Sequence, residues 1–377
     1  MAKDVLLGLF VILLLPTVLA TDYYVDKSGI SGTCADANPG TIMQPWCTIN
    51  KAVQTVRAGD TVYIRQGVYY ESLTMQNSGA PGNPITFKAY PGDECKGEYA
   101  GLKSDCGVVI DGSYVLSGTW QRDGGDIYYI DVPDGVLTQA GKDSVFVEGD
   151  RFRYATEPDQ ATPYFNYGNY NIAQSMTESS VYDPVNLNQA NGFWTGGYVK
   201  FRFTDSSHRI REITGFTSNT LSFDPLDIDI GNLHDGKYTY IMINHLSLLD
   251  QPGEFYIDYK SSPKRLYLIT LDRQSPQGQV VSINHRSKGI YMNYKSYIRI
   301  EGLEIRKHRG GAIDIQDYYH SDIDGIDVVN NYIHDNGNPE GIFYEGGDGV
   351  AAQNVRGLLV ENNEFFRNSI SAIVFGG

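Results

Sequence analysis

Carboxylates gather in one short part of this chain. Asp314 sits between Ile313 and Ile315, Asp317 follows, and Asp348 opens the apolar run Asp348-Gly-Val-Ala-Ala-Gln353. Between them lie His334, Asp335, Glu340, Tyr344 and Glu345. Two carboxyl groups held roughly 5–9.5 Å apart can cleave a glycosidic bond, one as acid and the other as base or nucleophile. Crowding raises the pKa of one member, so a single residue type supplies both forms. Asp314, Asp317, Glu345 and Asp348 are therefore the candidates for acid, base or nucleophile, with His334 and Tyr344 as substrate contacts. The competing reading is that these are solvated acids on the outer face of a protein of net charge −15.

A second chemistry is β-elimination of a uronate polymer, which needs a cationic side chain as base and often calcium. Lys307, His308 and Arg309 precede Gly310-Gly311, and Asp322, Asp324 and Asp327 could hold calcium. Their spacing is not that of an EF-hand loop. The hydrolytic reading requires no cofactor, and calcium belongs to the eliminative one.

Such acids need a rigid support, and repetition supplies it. Ile298–Ile305, Ile326–Ile333 and Leu358–Phe365 are variants of one pattern: alternating apolar residues, a Gly or Asn fifth, an apolar residue eighth. Their starts at 298, 326 and 358 give periods of 28 and 32 residues. Self-similarity at such a period marks a solenoid whose rungs bury a shared core by stacking. Strand alternation with Asn and Gly at the corners implies β-rungs, hence a parallel β-helix. Alternation turns Asp314 to the outer face. Ile313 and Ile373 each lie 15 residues after their repeat start, whereas Val350 lies 24 after, so nine extra residues form a corner loop around Asn338–Gly347. Raised loops on a rigid scaffold are where binding groups concentrate. Asn330-Asn331 and Asn362-Asn363 read as an internal asparagine ladder.

Residues 1–20 have the pattern of a secretion signal, too short in its apolar part for a bilayer span. The mature protein is thus expected outside the cell or at its surface, without a stable membrane span. Cys34/Cys47 and Cys95/Cys106 form two sequence-local pairs; of the three possible connectivities the local one is favoured. The acidic balance argues against nucleic acid and, unless calcium mediates contact, disfavours a strongly anionic glycan; a monomer acting on an extracellular glycan is the expectation. The chain stops inside its third repeat, so the fold is expected to continue, with part of the site possible in later rungs.

Along the chain, Thr48–Ala58 reads as a short amphipathic helix covering the first rung, before strands at Thr61–Arg65, Gly67–Glu71, Ile85–Tyr90 and Val108–Gly112. Residues 21–113 form the N-terminal cap and first coils. Residues 114–272 break the rung pattern and read as an inserted antiparallel β module, in which Trp120, Phe146 and Tyr256 pack a core; residues 273–377 return to rungs.

Tyr23-Tyr-Val, Asn38-Pro-Gly, Pro45-Trp, Gly67-Val-Tyr, Gly82-Asn-Pro-Ile-Thr-Phe-Lys-Ala-Tyr-Pro-Gly and Ile110-Asp-Gly occur in this order. Together they resemble the N-terminal part of secreted right-handed parallel β-helix proteins, the pectin-lyase-like superfamily. Ser144–Ala155, Leu249–Asp258 and Arg265–Leu268 are similar to a bacterial subgroup with an inserted β-sandwich-like module, several members of which are glycoside hydrolases. The resemblance implies a fold shared by lyases, hydrolases, epimerases and non-catalytic surface proteins. The pectate-lyase vWiDH and RxPxxR patterns are absent, as are the Asp-Asp and Gly-His-Gly of polygalacturonases. The expected function is cleavage of an extracellular polysaccharide by carboxylate chemistry, with a calcium-assisted lyase or a non-catalytic adhesion β-helix as alternatives.

Overall fold

The computed structural model describes residues 20–96, 106–160, 169–202, 208–227, 230, 237–317, 323–338 and 347–376. The signal-like segment lies outside this set, as do Asp322, Glu340, Tyr344 and Glu345.

Three parallel sheets wind around one core. The first holds Asp22–Val25, Thr61–Ile64, Ile85–Ala89, Ile298–Glu301, Ile323–Val329 and Val355–Glu361, which define rungs one to six. The second holds Gly67–Tyr69, Val108–Asp111, Glu304–Arg306, Tyr332–His334 and Glu364–Phe366, and the third Leu73–Thr74, Ile290–Asn293, Ile313–Gln316, Val350–Gln353 and Ile373–Gly376. Ile85, Ile298, Ile326 and Leu358 stand in one register column. Ile290, Ile313, Val350 and Ile373 form a second, and Ile110, Ile305, Ile333 and Phe365 a third. Burying one such branched side chain contributes about 1.5–3 kcal/mol, so stacking is the main source of stability.

The corners are held by side chains. Asn331 Nδ2 donates to Ile300 O at 3.1 Å and to Asn363 Oδ1 at 3.0 Å, while its Oδ1 accepts from Leu303 N. Asn330 and Asn362 take the left-handed conformation, at φ 59° and 53°. A second ladder, Asn336 to Asn368, supports the next corner and is not evident in the repeat pattern.

The helix Ile49–Thr55 is capped by Thr48, and the Glu71 carboxylate accepts from Ile49 N and Asn50 N. Its Ile49, Ala52 and Val53 join the core beside the first rungs. The disulfides are Cys34–Cys47 and Cys95–Cys106, with no free cysteine.

The inserted module leaves the corner between the second and third sheets of rung three. It spans 113–284 rather than 114–272: Val281–Asn284 pairs antiparallel with Ser113–Val115 and Val145–Val147, so that strand belongs to the module and the rungs resume at Ile290. A five-stranded and an eight-stranded sheet complete the module around two hydrophobic clusters. Phe146 is fully buried, and Trp120 and Tyr256 pack against those clusters.

Rungs four and six cross that same corner in six residues each, and rung five uses fifteen, from Asp335 to Gly349. The nine additional residues therefore belong to the same corner that carries the module. Ser369 N donates to both Asn336 O at 2.9 Å and Gly347 O at 3.0 Å, and a Cβ on either Gly337 or Gly347 would collide with Ser369 Oγ.

Candidate active site

The outer face of the third sheet brings two of the expected acids together. Asp314 follows the register of Tyr291 on the rung below, and Asp348 stands at the corner where rung five enters this sheet. Asp314 Oδ2 forms an ion pair with Lys288 Nζ and accepts from Gln316 Nε2 at 3.2 Å. Burial raises the Asp348 pKa; bonds from Ser371 oppose this, and the charge of Asp314 adds to the rise. Among the described residues, Asp314 Oδ1, Asp348 Oδ1 and Asn293 Oδ1 are buried without a hydrogen-bond donor. Such oxygens carry a desolvation penalty that an incoming donor would relieve.

The expectation of solvated outer acids is corrected here: Asp314, Asp317 and Asp348 are 6, 0 and 8% exposed. Asp317 lies at the following corner, where its carbonyl accepts from Asn354 Nδ2 at 2.9 Å. Glu345 and Tyr344 lie outside the described residues.

His334 is placed differently from a substrate contact. It lies on the second sheet, 8% exposed, with Nε2 3.1 Å from Glu304 Oε1 and Nδ1 2.8 Å from Asp335 Oδ2. Burial alone would lower its pKa, but the two carboxylates outweigh that and raise it. Arg306 extends the chain, bonding Glu304 at 2.6 Å and Asp111 at 2.7 Å. At the other end Asp335 meets Arg367 at 2.7 Å, and Arg151 of the module donates to the carbonyls of Asp335 and Gly337. Burial raises the Asp335 pKa less than its bond to His334 and the surrounding cations lower it, leaving it at about 2. Lys307, Asp335 and Arg367 hold left-handed backbone on successive rungs, at φ 56°, 56° and 51°. Non-glycine residues rarely adopt this conformation, so the surrounding contacts must hold them there.

Two of the three calcium candidates, Asp324 and Asp327, are each engaged by an arginine. Asp324 binds Arg356 at 2.9 and 3.1 Å, and Asp327 binds Arg299 at 3.0 Å, on the first sheet. Asp322 lies outside the described residues, and no group of three or more metal-binding acids, His or Cys occurs among those described. Sequence reasoning missed Lys288, Tyr291 and Asn293, whose signal is the register with Asp314 and Gln316. It missed Arg151 because nothing local ties the module to rung five.

Three stacked sheets with an asparagine ladder, and acids on one outer face, define the class: a parallel β-helix of the architecture shared by carbohydrate-active proteins. Two family models match, "Pel9A-like, right handed beta helix region" over residues 23–195 and "Right handed beta helix region" over residues 271–376. The two models match separate parts of the chain, and together they support a pectin-lyase-like right-handed β-helix protein. It is 43% identical over 70 residues to the uncharacterized protein YwoF of Bacillus subtilis (strain 168), and 38% identical over 82 residues to pectate lyase PEL9 of Emericella nidulans. Those segments are 18 and 21% of this chain but only 14 and 19% of the relatives. A solved structure titled "Glycoside hydrolase" superposes with TM-score 0.65 at 15% identity, covering 91% of this chain and 65% of that one. That likeness is one of fold. Among the described residues no helix is long and apolar enough to cross a membrane.

Proposed function

We propose that this chain is exported and cleaves glycosidic bonds of an extracellular polysaccharide, with Asp348 as general acid and Asp314 as its carboxylate partner. One observation carries the reading: on neighbouring rungs, two buried carboxylates each keep one oxygen without a donor among the described residues, and burial with the charge of Asp314 raises the pKa of Asp348. A raised carboxyl holds the proton that a leaving glycosidic oxygen needs. Asp314, paired with Lys288, serves as base or nucleophile. Glu345 and Tyr344 join the proposal through their place on the loop between Gly337 and Gly347. Two disulfides suit an oxidising compartment.

Elimination is a second reading and rests on Lys307. Burial lowers its ammonium pKa, as an amine base requires. The pectate lyase among the relatives is consistent with it. Incubating the protein with soluble polysaccharides separates the readings. New reducing ends without ultraviolet absorbance support hydrolysis, both together support elimination, and full activity in Asp314→Asn and Asp348→Asn removes the proposed pair.

A further inference from the structure

We infer that the inserted module carries a holding site for an acidic sugar, in a groove where it meets rung six; the inference takes from the reading above only that the partner is a polysaccharide. A cleft of about 350 Å³ opens there, a size common among small-ligand sites. Its walls come from both parts of the fold: Arg151, Phe152 and Arg153 from the module, and Arg367 from the rung-six corner. Three guanidinium groups line it against one carboxylate, Asp150, among the described residues. The acids that pair with Arg153 and Arg367, Glu254 and Asp335, have fully buried side chains, so the cations front the cleft. Such a lining reverses locally the acidic balance of a chain with net charge −15.

Arg153 is the side chain placed to take a ligand. It bonds Glu254 through Nε at 3.1 Å, which leaves its paired terminal nitrogens, the fork that meets a carboxylate with two parallel bonds. The apolar wall of Phe152 and the 62% exposed Leu271 continues into an adjoining cleft of about 200 Å³, which shares both residues and Asp150. There Asp272 and Gln279 offer acceptors to hydroxyl groups. A ligand filling both clefts presents an anion at one end, hydroxyls at the other and C–H surface between. A uronic acid unit joined to a second sugar has that form. Arg367 stands two residues before Ser369, whose amide bonds Gly347 O, so the groove belongs to the same corner as Asp348.

Titration calorimetry of the full chain tests this in EDTA and in calcium, with tetragalacturonate, its methyl ester, cellotetraose and a sulfated galacto-oligosaccharide. Tetragalacturonate should bind equally in both buffers, and the ester and cellotetraose about tenfold or more weakly. Asp150→Asn removes the one acid from the arginine cleft and should tighten tetragalacturonate binding by about threefold or more, which a misfolded variant cannot do. Arg153→Lys keeps a cation beside Glu254 but loses the fork, and should weaken binding by about tenfold. Equal affinity for the acid and its ester overturns the inference, as does an affinity that neither substitution moves. Binding that needs calcium, or a preference for the sulfated ligand, overturns it too. Cleavage of a neutral polysaccharide without uronate binding sinks this inference and leaves the acid pair standing. Tetragalacturonate held through Arg153 with no polysaccharide cleaved does the reverse.

Discussion

His334 should make the stability of the β-helix fall as pH rises through the neutral range. Both ring nitrogens face carboxylate oxygens, at 3.1 Å from Glu304 and 2.8 Å from Asp335. Carboxylates only accept, so both nitrogens must donate and the ring must be the imidazolium. Losing the proton leaves a lone pair against a carboxylate and removes one charge-assisted bond, a loss of about 1.5–3 kcal/mol. The side chain is almost wholly buried, so solvent screening takes little from that figure. Its folded pKa lies above the unfolded value of about 6.5, so the contribution is complete below about pH 6.5 and disappears as pH rises through the folded pKa. The measurement is the unfolding free energy of wild type and His334→Gln between about pH 5.5 and 9, since the glutamine cannot titrate. The wild-type advantage should shrink by about 1.5–3 kcal/mol across that window. An advantage that stays level or grows with pH would refute an imidazolium between Glu304 and Asp335.

Asp348→Asn should lower turnover on an identified substrate by about 10²–10⁴-fold, and should remove the alkaline limb of the pH–rate profile that a protonated Asp348 produces. Ile326→Ala, in the fully buried first-sheet column, should cost about 2–5 kcal/mol in denaturant unfolding. Arg151→Met should destabilise by about 3–5 kcal/mol, because the buried Asp335 loses a module-borne cation, and protease cleavage between module and rungs should accelerate. Non-reducing peptide mapping should recover Cys34–Cys47 and Cys95–Cys106 as separate pairs.

The columns were legible because stacking demands the same apolar type at the same phase in every rung, and Ile298, Ile326 and Leu358 meet that demand in plain sequence. The long corner was legible as an offset in phase. Val281–Asn284 was not, since a strand has the same alternation whether it joins a rung or the module; its partners decide, and they lie far away in the chain. Burial of the acids was equally hidden. Alternation turned Asp314 outward from the sheet, but outward from a sheet is not outward to water: the residue is 6% exposed. His334 illustrates a further limit: Glu304 stands 30 residues before it, and only the rung period makes them neighbours.

The footing of the long corner has a consequence for how such a protein changes over time. A single amide, Ser369 N, fastens both ends of the segment 338–346, and Gly337 and Gly347 close tightly over the serine. The feet are held from outside the segment: Ser369 of rung six bonds beside both, and Gly337 also donates to His308 O and accepts from Arg151 of the module. That segment is consequently an exchangeable cassette. Insertions, deletions or wholesale replacement within it leave the stacking period untouched, so selection can retune ligand preference there while the scaffold stays constant. Loop libraries grafted between the two glycines would exploit the same freedom.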